Sequence, residues 1–369
     1  MSAMPTSTPG FLQRRALLLA ALAWPSALAW AAPDTRELRP LRFPRDFGSH
    51  ADWRTEWWYI TGHAEAADAR GHRTFGFQVT FFRSRVDEAQ SIQSAFAARQ
   101  LVFAHAALTD LEGKRLLHDQ RIARAGMGVA EASEGDTDIR LRDWSLKRGP
   151  DGRYAARVPA SGFSLELDFM PTQPVLLQGD AGLSRKGAGP GETSYYYSEP
   201  QMKVGGRIAL EDRRFETTEG RAWLDHEWSE TIMSLQAVGW DWIGMNLHDG
   251  SALTAFRLRD QAGRTLWAGG SWRDKGGKLM AFAHDEVKFE AGRQWKSPSS
   301  QASYPVEWKV TTPAGRFLVK ALLDDQELDS RGSTGTIYWE GLSDLLDERG
   351  QAIGRGYLEM TGYAGKLRL

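Results

Sequence analysis

The residues best equipped for chemistry are concentrated in one short run, Trp223-Leu224-Asp225-His226-Glu227-Trp228, followed closely by Trp240-Asp241-Trp242. Carboxyl groups and an imidazole are set there among indoles. In an extended strand successive side chains alternate, so Leu224, His226 and Trp228 share one face and Trp223, Asp225, Glu227 and Ser229 share the other. The first face reads as interior. It would place an imidazole beside an indole in an apolar site, where desolvation shifts acid strength and a ring face stabilises a cation. The same residues equally suit a Trp-anchored core into which His226 is hydrogen-bonded. Two further clusters, Glu56-Trp57-Trp58-Tyr59-Ile60-Thr61-Gly62 and Ser194-Tyr195-Tyr196-Tyr197-Ser198, are rich in side chains with a large apolar body and one polar tip. Such side chains suit a pocket that is greasy yet orients its contents, and they suit ordinary packing as well. Trp57, Tyr59, Tyr195, Tyr197, Trp240 and Trp242 are the candidate ligand-binding residues.

Other signatures fail. No Gly-x-Ser-x-Gly elbow occurs, so a hydrolase serine of that type has no support. Gly187-Ala-Gly189-Pro-Gly191 lacks the lysine of a phosphate-binding loop and precedes no amphipathic helix. His226-Glu227-Trp228-Ser229-Glu230 begins like a zinc-protease motif, but Glu230 stands where the second histidine is needed and the segment reads as strand. His63, His72 and His105 show no ligand spacing. No metal or cofactor is therefore expected.

The elements that must position these residues are strands. Phe75-Gly-Phe77-Gln-Val79-Thr-Phe81 and Phe163-Ser-Leu165-Glu-Leu167-Asp-Phe169 alternate with period two. Turn signals such as Asp110-Leu-Glu-Gly113, Gly149-Pro-Asp-Gly152 and Asp260-Gln-Ala-Gly263 separate such segments at short intervals. Only Asp87 to about Arg99, with Asp87 as N-cap and Ile92, Ala95 and Phe96 on one face, supports a short helix. A loose repeat between Trp57–Phe82 and Trp240–Leu258 suggests two copies of one unit, with a boundary around Val204 to Arg207. Antiparallel chains of this size hide their edges by closing into barrels, and an eight-strand barrel holds one small ligand. The expectation is an all-β protein of two consecutive antiparallel barrels at 33–204 and 205–369, with paired β-sandwiches as the alternative.

The 369 residues carry 46 basic and 47 acidic groups and no cysteine. The balance leaves no electrostatic footprint for nucleic acid, and the lack of thiols excludes disulfides, thiolate metal sites and a cysteine nucleophile. Residues 1–32 read as an export signal, because Arg14-Arg15 precedes an apolar run from Ala16 to about Ala29 and then small residues suited to cleavage. The arginine pair suggests the twin-arginine route, with an ordinary Sec signal as the alternative. The run is too short to span a bilayer comfortably, which takes about 20 apolar residues. A periplasmic or secreted protein with no stable membrane span after cleavage is predicted.

The stretches TEWWYITGH, FGFQVTFFR, FAHAALTD, YYYSEPQM, AWLDHEWS, GWDWIGMNL and GRGYLEMTGY, in that order from about Phe43 to Tyr363, resemble the AttH-like secreted proteins of the hydroxyneurosporene synthase (carotenoid 1,2-hydratase) superfamily. The resemblance implies two lipocalin-like barrels. It also implies a hydrophobic small-molecule ligand, isoprenoid or lipid-like, and an ABC-transporter permease as a partner. Related members hydrate isoprenoid double bonds or an isoflavonoid, or guide polyene cyclisations. Hydratase members place a His and a Trp in a segment like DHEW, here His226 and Trp228. Their proton donor lies in a Tyr-x-Asp pattern, which the corresponding Leu253-Thr-Ala-Phe256-Arg-Leu lacks, so Asp241 or Asp225 would have to serve as acid. Binding and carriage is accordingly the leading expectation, a hydro-lyase the first alternative, and a scaffold filled by its own aromatics the second.

Overall fold

The computed structural model describes Met1, residues 39–189 and residues 191–366. The export segment at 1–32 lies outside the described residues apart from Met1. Strands dominate, all ladders are antiparallel, and the described residues contain no α-helix, only 3-10 turns at Arg45–Phe47 and Asp87–Ala89. The short helix expected at 87–99 is absent beyond that turn. Its apolar residues have no surface to bury against, since Ile92 is 47% and Phe96 70% exposed, and Gln90 and Arg99 use their side chains to bond loop carbonyls. A helix with no buried face gains little from tertiary packing.

The strands form two large sheets. In the first, eleven run in the order Arg115–Arg124, Gln100–Asp110, Gly71–Arg85, Thr55–Asp68, Arg213–Ser229, Thr193–Leu210, Phe163–Met170, Tyr154–Pro159, Trp144–Arg148, Asp138–Leu141 and Ala130–Ala132. Its two ends approach each other, as Asp138–Leu141 packs near Gln100–Asp110 and Arg115–Arg124, so the sheet curls into a nearly closed barrel. The second sheet runs Leu279–Phe282, Thr265–Arg273, Ala252–Arg259, Gly239–Leu247, Ala352–Met360, Ile337–Leu346, Gly315–Ala321, Glu307–Thr312 and Lys288–Ala291, and stays open. The Thr193–Leu210 strand runs through residues 204 and 205, and sheet membership changes only between Ser229 and Gly239.

The barrel interior is packed. Trp58, Phe77, Val79, Phe81, Trp144, Leu146, Leu165, Leu167, Phe169 and Ile208 belong to one continuous buried cluster. The second sheet has its own core around Ile243, Met245, Leu253, Trp308, Val310, Val319 and Leu358. A third cluster, which includes Tyr59, Trp223, Trp242, Phe256, Leu258, Leu342 and Tyr357, joins the outer face of the barrel to the second sheet. Central strands are thus covered on both faces. That explains why Thr55–Asp68 and Arg213–Ser229 are buried over consecutive residues where they would otherwise alternate.

Candidate functional site

The strand Arg213–Ser229 pairs with Thr55–Asp68 on one side and Thr193–Leu210 on the other, and register fixes which side chains meet. Trp58, His226 and Tyr197 are direct neighbours across the three strands, and Phe81 extends the row; these point into the barrel. One residue to either side the direction reverses. Trp57, Glu227 and Tyr196 form one outward row with Phe82, and Tyr59 and Asp225 form another with Thr80 and His105. From the second sheet comes a facing row of Phe256, Trp242, Glu359 and Glu340.

Between these rows lies a cleft with about 980 Å³ of space between atoms, part of it open to solvent. Its walls are mainly aromatic: Trp57, Tyr59, Phe82, Tyr196, Trp240, Trp242, Phe256 and Tyr338. Gly244 makes room for that lining. A methyl group there would lie 2.3 Å from the Trp242 ring and 3.2 Å from Trp223.

Among the polar side chains of the cleft are four carboxyls, Asp225, Glu227, Glu340 and Glu359, with Lys186 the one lysine or arginine in the lining; Gln78, His105 and several threonines add neutral polar groups. Lys186 Nζ lies 2.8 Å from Glu227 Oε1 and over the rings of Tyr196 and Phe256. Ser194 also donates to Glu227 at 2.5 Å. Asp225 accepts from Tyr196 at 2.8 Å, Ser198 at 2.5 Å and Trp223 at 2.7 Å, all neutral donors. Burial outweighs those bonds and pushes its carboxyl up to about 7. Glu340 and Glu359 are directly opposite on neighbouring strands. Burial, reinforced by Asp225 and Glu227, raises Glu359 to about 7; burial and the neighbouring Glu359 carry Glu340 well above the carboxylate range. Like charges so close in an apolar wall do not ionise together, so this pair holds at least one proton at neutral pH. Glu340 Oε1 is buried and makes no hydrogen bond of normal geometry among the described residues; the Tyr59 hydroxyl is its polar neighbour.

The barrel holds a second polar cluster with a different character. His226 lies 3.0 Å from the Tyr197 hydroxyl through Nδ1 and 2.9 Å from Glu56 Oε1 through Nε2, with its ring stacked on Trp58. Glu56 also bonds His50, Ser49 and Arg83, and His50 in turn reaches Asp46. Burial lowers His226 to about 4, and hydrogen bonds from the two imidazoles hold Glu56 well below the usual carboxylate range despite its burial. His50, Glu56 and His226 each offer an atom for a metal, all within 4.8 Å of one another. They do not fit one as they stand. Zinc-type bonds of about 2.1 Å leave ligand atoms no more than about 4.2 Å apart, and the Arg83 guanidinium bonded to Glu56 opposes a further cation.

Of the candidate ligand-binding residues, Trp57, Tyr59, Trp240 and Trp242 line the cleft, whereas Tyr195 and Tyr197 point into the barrel. Tyr195 stacks on Trp228 and its hydroxyl donates to the Arg39 carbonyl. Of the candidate catalytic residues, Asp225 faces the cleft while His226 and Trp228 belong to the barrel core. Asp241 is kept away by alternation: Trp240 and Trp242 point to the cleft, and Asp241 points to the core, bonded to Arg257 at 2.7 Å and Tyr363 at 2.8 Å. The expected hollow inside a barrel is thus found outside it, because the barrel is filled by its own aromatics and the wall's outer face is the one left facing a gap. Lys186, Glu340 and Glu359 are additions that the sequence motifs did not single out, and Tyr196 and Glu227, which lie inside those motifs, join the site without having been among its candidates. An acid in the midst of an apolar strand, as in Tyr338-Trp-Glu340-Gly-Leu342 and Tyr357-Leu-Glu359-Met360, is the signal that would have found those two glutamates.

Residues 34–363 match the family described as AttH-like. The chain belongs to the AttH-like family. A solved structure assigned to AttH of Nitrosomonas europaea is 45% identical and superposes with a TM-score of 0.82, covering 90% of this chain and 99% of that one. Kievitone hydratase from Nectria haematococca shares the fold at 13% identity, with a TM-score of 0.69 over 90% of this chain and 95% of its own. CghA in complex with Sch210972 shares it at 12% identity, with a TM-score of 0.52 over 85% and 89%. No curated protein matches the sequence. The AttH-like fold therefore carries both a hydratase and CghA, and the chemistry of this member has to be argued from its own cleft.

Proposed function

We propose that this AttH-like protein binds an apolar, isoprenoid-like small molecule in the cleft between its sheets and adds water across, or removes it from, a double bond. The observation that carries this reading is the facing Glu340–Glu359 pair in an aromatic wall. A carboxyl kept protonated by an apolar site is a general acid available at neutral pH. It donates its proton to one alkene carbon, leaving a carbocation on the other. The faces of Trp57, Trp240 and Trp242 stabilise that charge. Water adds to the cation and its proton returns to the carboxylate that donated the first, directly or relayed through Asp225, so the acid is restored and no redox partner is needed. The hydratase among the proteins of this fold supports the assignment at the level of fold alone.

Incubation with geraniol, linalool or a longer prenyl alkene in heavy-oxygen water tests the reading. Incorporation of label that disappears in Glu340→Gln and Glu359→Gln is expected, and the rate should fall as pH rises above about 7 and the acid is lost. Carriage without chemistry is the second reading, favoured by the export-type segment at 1–32. It keeps the same cleft as the cargo site, a periplasmic address and a transporter permease as partner. Tight binding of prenyl compounds without label incorporation would select it.

A further inference from the structure

Four carboxyl groups face this aromatic cleft, and only Glu227 meets a lysine or arginine within it. Lys186 shows how the walls receive a cation: its ammonium lies 5.0 Å from the ring centroid of Tyr196 and 4.5 Å from that of Phe256 while pairing with Glu227. At the other end the same ingredients recur with no cation supplied. Glu340 and Glu359 stand beside Trp240, Trp242, Tyr59 and Tyr338, and Glu340 Oε1, 2% exposed by residue, makes no hydrogen bond of normal geometry among the described residues, with only the neutral Tyr59 hydroxyl as its polar neighbour. A buried carboxyl oxygen so weakly met is costly, and an occupant of the cleft can satisfy it. Aromatic faces combined with acidic oxygens are the recognition chemistry of ammonium groups.

We propose that the Glu340–Glu359 end of the cleft is a binding site for an organic cation, an ammonium group carried on an apolar body such as a prenyl or alkyl chain. The inference rests on the cleft being the ligand site. It follows from charge: a wall built to stabilise a transient carbocation also favours a permanent cation of the same shape. Binding draws a proton off the carboxyl pair, because the ionised form is the one that attracts the ligand. Affinity for a permanent cation therefore rises with pH, opposite in sign to acid catalysis at the same residues. The groups that face the pair set where that rise falls. Tyr59 from the Thr55–Asp68 strand, Asp225 and Glu227 from Arg213–Ser229, and Tyr357 on the pair's own Ala352–Met360 strand interact with it. His105 and Lys186 complete the charged and titratable lining with Tyr196 and Tyr338. Burial lowers His105 to about 3, so it stays neutral across the range and contributes no competing charge.

Titration calorimetry of the full chain with geranyl-trimethylammonium and with geraniol tests this. At pH 8 the ammonium compound should bind about tenfold or more tighter than the neutral alcohol, and at pH 5.5 the preference should shrink to about threefold or less. The double variant Glu340→Gln/Glu359→Gln should lose the preference at pH 8 and still bind geraniol, which shows that the cleft remains folded. Geraniol binding with no preference for the ammonium at pH 8 overturns the cation site and leaves the ligand cleft standing. A preference unchanged in the double variant overturns the assignment to these carboxyls. Failure of both compounds to bind overturns the inference together with the cleft reading.

Discussion

One strand, Arg213–Ser229, serves two buried polar clusters on its opposite faces, and they differ in how completely their polar atoms are paired. Inside the barrel, Glu56 is bonded by two imidazoles, a guanidinium, a hydroxyl and the His50 backbone amide. Outside it, one oxygen of Glu340 makes no hydrogen bond of normal geometry and meets only the Tyr59 hydroxyl, and the carboxyl faces a second acid across the sheet. Both clusters are buried, so burial does not distinguish them. A saturated network has settled its charges and fixes structure; an unsaturated one stores a demand that a ligand or a reaction meets. That contrast moves the site from the DHEW histidine to its acidic neighbours.

The largest effect should come from breaking the saturated side. Glu56→Ala strips the common partner from His50, His226, Arg83 and Ser49 and leaves a buried guanidinium without its carboxylate. Loss of one member of such a buried set costs about 3–5 kcal/mol, measurable by urea denaturation. A cost under about 1 kcal/mol would show that the network does not hold the barrel together. Glu340→Ala, by contrast, removes a group with an unmet demand and should cost the fold less, despite a similar depth.

The two sides also respond to pH in opposite directions. His226, lowered to about 4 from 6.5, contributes stability that is complete above pH 6.5 and is lost as pH falls toward 4, since the unfolded chain takes up the proton first. Glu359, raised from 4.5 to about 7, contributes stability that is complete below 4.5 and is lost as pH rises through 7. Each shift corresponds to a limit of about 3 kcal/mol. Between pH 4.5 and 6.5 the two offset each other. Glu359→Gln should leave the imidazole unopposed, so the variant gains stability relative to the parent as pH rises across this window. Parallel denaturation curves at pH 4.5, 5.5 and 6.5 check it, and a constant difference would refute the shift at Glu359.

Asp241 sharpens the contrast further. It sits between two cleft tryptophans in sequence but on the core side in space, bonded by Arg257 and Tyr363. Asp241→Asn should cost about 2 kcal/mol of stability through the weakened buried ion pair and leave geraniol affinity and any label incorporation unchanged. A variant that folds as the parent does yet loses label incorporation would return Asp241 to the catalytic role.

The period-two pattern at Phe75–Phe81 and Phe163–Phe169 made the strands legible, and the ordered motifs made the family so. Alternation also correctly separated Leu224, His226 and Trp228 from Trp223, Asp225 and Glu227. What it could not tell was which set faced a gap. Both faces of that strand are covered, and an apolar alternation carries no mark of whether the opposing surface touches it or stands off. Glu340 and Glu359 were invisible for a related reason: they are adjacent through strand pairing and lie nineteen positions apart in sequence, so no local spacing links them. Trp57, Tyr59, Trp240 and Trp242 were found because large amphipathic rings suit a pocket. Tyr195 and Tyr197 were misplaced by the same logic, since in a tyrosine triplet the middle residue alone points the other way.

The smallest predicted effect isolates a single hydroxyl on each side. Tyr197 donates its hydroxyl to His226 Nδ1 inside the barrel, whereas the buried Tyr59 hydroxyl in the cleft makes no hydrogen bond of normal geometry among the described residues and has the Glu340 carboxyl as its polar neighbour. Removing a well-paired group forfeits its bond and orphans the partner; removing a weakly paired one forfeits little and relieves a desolvation penalty that was poorly offset. Tyr197→Phe should therefore cost about 1 kcal/mol or somewhat more, and Tyr59→Phe should cost clearly less, near zero. The two rings sit on the two strands that flank Arg213–Ser229, opposite its adjacent residues His226 and Asp225, and both are buried, so backbone propensity and ring burial are closely matched between them. If both substitutions destabilise equally, the Tyr59 hydroxyl is satisfied in solution, and the distinction between a saturated barrel and an unsaturated cleft fails at its simplest point.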